Sequence, residues 1–302
     1  MAQLIKIYDY ISRYESDIYH YPTKYIRLKQ ENWIKLKKKW ESGYLRSTEK
    51  EDEDTEYEKE SPSKWKNFFK RKKEYQEDVN KIVEEEWVPE DIETLKKYFL
   101  DGLYPFQLKW ASTTLLEKSF VDANLQHNSQ LKMLLQRIPD HYLIMYKPIV
   151  KFKKAPMEAE IIVIGPHQVE VITYLDVNAD IITPHTPYQW YVEKNGEKKT
   201  VSSPLIGLKR TETFLRSIAQ KYKLNINFKL TILAPEVTIS ALEAPYLTSY
   251  IDKHNFEQWL TEKRKLSTPL KYEQLLLSEK LLNHTRTVAV KRPEWESDNT
   301  KE

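Results

Sequence analysis

Apolar positions in the first forty residues recur at helical spacing. Leu4, Ile7, Ile11, Tyr14 and Ile18 predict a helix over residues 3–18, ended by Pro22. Ile26, Trp33, Leu36 and Trp40 form the apolar stripe of a second helix, lysines take its other side, and Gly43 fits its C-cap. A helical hairpin packed through aromatic side chains follows from this pattern. Further helices are expected at 92–100, at 105–120 restarting at Pro105, and at 128–137.

Beyond Pro139 the pattern changes. YLIMYKPIVKF, AEIIVIG, QVEVITYL, QWYVEK and FKLTILAP are short β-branched or aromatic runs divided by turn residues. They predict strands near 142–153, 159–164, 168–175 and 228–233. Ser203-Pro204 predicts a helix start, with the serine as cap and the proline at the first helical position, and Leu205, Leu208, Leu215, Ile218 and Tyr222 continue at helical spacing. The runs EVTISAL and YLTSYI and the helix FEQWLTEKR come last, and residues 285–302 read as frayed. The expected class is α/β (α+β): a helical N-terminal region, then a mixed β-sheet with flanking helices. The expected division is 1–104 helical, 105–265 the sheet domain, and 266–302 a C-terminal helix and tail.

Residues 49–63, EKEDEDTEYEKESPS, are almost all charged and lack apolar periodicity. A disordered linker or exposed insertion near 48–63 is expected, because such a segment buries too little surface to offset its ordering entropy. The next stretch, KWKNFFKRKKEY, interleaves Lys64, Lys66, Lys70, Arg71, Lys72 and Lys73 with Trp65, Phe68 and Phe69. Cations and aromatic rings in that order suit nucleic-acid backbone and bases. An amphipathic helix with a solvated basic face explains the same pattern and is the preferred reading.

Composition excludes several classes. The 302 residues contain no cysteine, which removes disulfides, thiol catalysis and thiolate metal sites and suits a reducing compartment. Five glycines, at 43, 102, 165, 196 and 207, form neither a dinucleotide fingerprint nor a P-loop. The seven histidines lack zinc-ligand spacing. The N-terminus is broken by Lys6, Asp9 and Arg13 before a signal-peptide apolar stretch forms, and no apolar run approaches the length of a membrane span. A cytoplasmic protein without a membrane partner is expected. The net charge of +3, from 48 basic and 45 acidic residues, leaves any role for charge to local patches.

From about 105 to 262 the chain resembles the nuclease-related domain (NERD), a branch of the PD-(D/E)xK nuclease superfamily. The resemblance rests on the strand–Gly-Pro–strand unit EIIVIGPHQVEVI, Trp190 some way downstream, the helix-opening SPLIGLKR where the family has Asn-Pro, the strand FKLTILAPE and the closing IDKHNFEQWL. It implies a restriction-endonuclease-like core. There, two acidic residues on adjacent strands hold Mg²⁺, and a lysine two residues beyond the second acts on the attacking water.

Aligned through Gly165-Pro166, the family's first acid falls on Glu160, its second on Thr173, its lysine on Leu175, its asparagine on Ser203 and its glutamine on Gly207. Only Glu160 keeps its chemistry. Glu170 begins an alternative acid-x-Lys register, but it lies an odd number of residues from Thr173, hence on the opposite sheet face. Asp176 has the same fault. Lys151, Lys153 and Lys209 are candidates for a relocated lysine, and Lys209 and Arg210 for nucleic-acid contact.

The resemblance therefore implies a degenerate nuclease-like protein with a nucleic-acid-associated or scaffolding role, with Glu160 as a remnant and no metal expected. One alternative is an active Mg²⁺-dependent DNA nuclease with relocated residues. Another is a structural module binding a protein partner through its N-terminal helices.

Overall fold

The computed structural model describes residues 1–43 and 89–292, apart from 153–154, 242 and 267. The charged segment 48–63, the basic stretch carrying Lys64, Lys66, Lys70, Arg71, Lys72 and Lys73, and Lys153 lie outside the described residues.

Residues 1–26 and 104–302 make one compact unit, and residues 27–103 make a second. The first is built on a six-stranded mixed sheet, as an α/β fold requires. Its strands are β1 (Gln3–Ile7), β3 (Leu143–Tyr146), β6 (Ile161–Ile164), β7 (Val169–Tyr174), β11 (Phe228–Ala234) and β13 (Thr248–Asp252), in that spatial order. β3, β6 and β7 form an antiparallel meander, and β1, β11 and β13 add in parallel to their neighbours. β3 and β6 are buried along their whole length, so they read as continuous apolar runs rather than alternating ones.

Helices cover both faces. Helix α5 (Leu205–Tyr222) carries β7 over to β11 on one face, where Tyr222 meets His284 at the end of α7 (Tyr272–Asn283). Helix α6 (Phe256–Lys265) packs on the other face and is tied to α4 (Ser129–Arg137) by the Arg137–Glu257 pair. A second sheet, in the order β10 (Glu197–Ser202), β9 (Gln189–Lys194), β8 (Ile181–Pro184) and β12 (Thr238–Ile239), lies between β7 and β13 in sequence. From it the buried Trp190 meets Tyr250 edge-on at 5.5 Å.

Three expectations are corrected. Residues 3–7 are a strand rather than the start of a helix. They are buried on both sides and pair with β3, and only the short α1 (Arg13–Ser16) follows before α2 (Tyr21–Glu41). Pro22 stands in the first turn of α2 rather than ending a helix, a position where proline is tolerated. The helix expected at 105–120 is the second part of α3 (Ile92–Trp110), with Pro105 inside it, and residues beyond 110 leave the helix for the short strand β2 (Glu117–Lys118).

The described part of the tail is also bound rather than frayed. Arg286 donates its backbone N–H to Ile149 in β4 (Ile149–Phe152), and β14 (Val290–Lys291) pairs with β2. The 27–103 unit contributes the Trp33–Phe99 ring contact at 5.3 Å and a bond from the Trp40 indole to the Pro89 carbonyl.

Candidate functional site

Glu160 stands immediately before β6. The antiparallel register pairs Ile161 with Ile172, and one further step sets Glu160 opposite Thr173. Both face α5. The approach of α5 is so close that a Cβ on Gly207 would lie 2.0 Å from Glu160 Oε1. One turn further along, the Thr211 hydroxyl accepts a hydrogen bond from the Glu160 backbone N–H at 2.9 Å. Glycine at 207 therefore makes room for the carboxylate, while Thr211 fixes its backbone.

Burial raises the Glu160 carboxyl above its ordinary pKa. The Thr173 hydroxyl and the charges of Lys147 and Arg210 oppose this, and Glu158 reinforces it. Thr173 is nine-tenths buried, and its hydroxyl lies alongside the carboxylate without the alignment of a formed hydrogen bond.

Leu175 extends the β7–β11 ladder through its N–H to Leu233 and offers no charge. Ser203 is buried and accepts from the Leu205 N–H at 3.3 Å. Pro204 takes the cap position, one residue later than the sequence pattern suggested. Lys209 is held by Glu212 at 2.9 Å, together with Arg216, and Lys151 is exposed on β4.

The lysine that does approach Glu160 is Lys147, which sequence reasoning missed. It follows β3 with φ 44°, a left-handed backbone uncommon for any residue but glycine. Tyr8, following β1, has φ 43°. Because Ile7 pairs with Tyr146, the two left-handed residues stand side by side at one end of the sheet. Their turn is fixed by bonds from Tyr8 N–H to the Tyr146 carbonyl and from Ile149 N–H to the Tyr8 carbonyl, both 3.1 Å. Lys147 precedes a proline, a position that ordinarily favours extended backbone, so the sequence carried no signal for this turn.

Glu170 has a different fate. It points to the opposite face and accepts hydrogen bonds from Thr231 Oγ1, from the Trp259 indole at 3.0 Å and from Lys263. Burial acts to raise its pKa, but the charge and hydrogen bond of Lys263 and the bond from Thr231 outweigh this and hold the carboxyl below the ordinary range. It is an internal ion pair anchoring α6 to the sheet. Asp176 is exposed and accepts from Gln130 at 2.9 Å.

Among the described residues no group of three or more histidine or acidic side chains is placed to hold a metal ion. One part-buried carboxyl facing a neutral hydroxyl does not fit the two-carboxylate Mg²⁺ arrangement that the resemblance implies.

No family model matches the chain, and no solved structure matches it. An RNA 2',3'-cyclic phosphodiesterase of Geobacillus stearothermophilus is 57% identical over 42 residues, which is 14% of this chain. The match spans 13% of that protein's length.

Proposed function

We propose that this chain is a nuclease-related-domain protein whose cleavage site is degenerate and which serves a nucleic-acid-associated or scaffolding role. The observation that carries the reading is the pairing of Glu160 with Thr173. On the face where a second acid would complete a metal site stands a neutral hydroxyl, and Leu175 follows where an ammonium would be needed. The short likeness to an RNA phosphodiesterase makes RNA, alongside DNA, a substrate to test. No described helix is long and apolar enough to cross a membrane. The reading carries with it the cytoplasmic location expected from a cysteine-free sequence.

A second reading, a Mg²⁺-dependent nuclease with relocated residues, is favoured by one observation. Lys147 and Glu158 both lie close enough to Glu160 to act on its charge. The deciding experiment is incubation of purified protein with plasmid, single-stranded DNA and RNA in Mg²⁺ or Mn²⁺. No cleavage by wild-type protein is expected. Cleavage that Glu160→Ala abolishes would overturn the degenerate reading in favour of the second.

A further inference from the structure

Two cations stand beside Glu160 from separate elements: the antiparallel β3–β6 register, carried two residues past the Met145–Ile162 pair, sets Lys147 opposite Glu160, and Arg210 precedes Thr211, whose hydroxyl accepts the Glu160 N–H. Lys147 comes from the β3–β4 turn, whose backbone is held left-handed and tied to β1, so the lysine is presented from a fixed platform. Arg210 comes from α5, three residues after Gly207 and one before Thr211, on the helix face that covers Glu160. Among the described residues neither forms an ion pair. Nearby Lys209 and Arg216, by contrast, are both taken up by Glu212.

Burial restrains the charge of the carboxyl between Lys147 and Arg210, leaving their positive charge incompletely offset. Besides Glu160 itself, the exposed Glu158 works against an anion here. The buried Thr173 hydroxyl stands beside the Glu160 carboxyl without the alignment of a formed hydrogen bond.

We propose that Lys147 and Arg210 seat one phosphodiester group of a nucleic-acid backbone over Glu160, so that the site holds a strand instead of cutting it. This rests on the nucleic-acid reading above and gives that role a location. Both side chains are cationic donors suited to phosphate oxygens, and the guanidinium can engage two of them at once. In this arrangement Glu160 is an adverse neighbour of the ligand, whereas in a metal site it would be a ligand itself. Its neutralisation therefore has opposite effects in the two cases.

The test is binding of a labelled single strand, and of the duplex of the same sequence, to full-length protein over a series of salt concentrations. Lys147→Gln and Arg210→Gln are each expected to weaken binding about three- to tenfold and to lower the salt slope by about one. Glu160→Gln is expected to bind at least as tightly as wild type, and Lys209→Gln to bind like wild type because that lysine is already committed to Glu212. Unchanged affinity in both the Lys147 and Arg210 variants, alongside clear wild-type binding, would overturn the seat and leave the nucleic-acid role intact. Loss of binding in Glu160→Gln would also overturn it. Absence of any oligonucleotide binding would overturn both the seat and the broader nucleic-acid role. Binding of inorganic phosphate by calorimetry, lost in the Lys147 and Arg210 variants and unaccompanied by oligonucleotide binding, would assign the cations to a free anion and reject the phosphodiester.

Discussion

Gly207 and Glu160 are coupled through space. In an exposed helix interior, glycine to alanine is worth up to about 1 kcal/mol of stabilisation. Here the added methyl would meet Glu160 Oε1, so Gly207→Ala must displace the carboxylate. We expect Gly207→Ala to be neutral or destabilising in wild type, and to stabilise by about 0.5–1 kcal/mol once Glu160→Ala has cleared the space. Urea midpoints of the four proteins of this double-mutant cycle measure the coupling. Additive effects would mean that the carboxylate does not rest on the helix.

At the scale of elements, the informative case is β1. Its five residues are buried on both sides, so the strand shows no alternation, and Leu4 and Ile7 fit helical spacing equally well. Pairing with β3, distant in sequence, decides the matter. The β6–β7 hairpin was readable because its clue is local. Two apolar runs flank Gly165, where any Cβ would fall 2.7 Å from the Tyr142 ring.

The opposite face taken by Glu170 followed from strand parity, and the matching of Glu160 with Thr173 from the family alignment through the Gly165-Pro166 turn. Lys147 was not readable, because its approach depends on a left-handed turn that the following proline argues against.

The outer edge of β1 is closed by a side chain. Gln107 of α3 accepts from the Leu4 N–H at 2.7 Å and donates to the Ala2 carbonyl at 2.7 Å, satisfying an edge that would otherwise be open to pairing. Gln107→Leu keeps the bulk and removes both edge bonds together with a third, from the Gln107 amide to the Tyr25 hydroxyl at 3.0 Å. A loss of about 1–3 kcal/mol is expected, because both backbone groups are buried. Amide exchange at Leu4 should accelerate with it, and unchanged protection would show that the edge is satisfied in another way.

For the molecule as a whole, the two strand carboxylates make opposite contributions to stability as pH changes. Glu170 has a depressed folded pKa, so its stabilisation is present above the ordinary value of 4.5 and is lost as pH falls through the folded pKa. Glu160 has a raised folded pKa, so its contribution is greatest below 4.5 and is lost as pH rises through the folded pKa. Glu170→Gln leaves Lys263 buried without its counter-charge, which costs about 3–5 kcal/mol at neutral pH. That deficit relative to wild type should shrink as pH falls below 4.5, because the unfolded wild-type chain takes up a proton at Glu170 there while the folded protein does so only at the lower folded pKa. Glu160→Gln should instead be more stable than wild type at neutral pH, and its advantage should fade towards acid. Denaturant unfolding of the three proteins from well below pH 4.5 to neutral pH yields two difference curves, with the Glu170 change below 4.5 and the Glu160 change above it. As pH rises, wild type should gain on Glu170→Gln and lose ground to Glu160→Gln. Slopes of the same sign would mean that one of the two carboxylates sits in a different environment from the one its neighbours define.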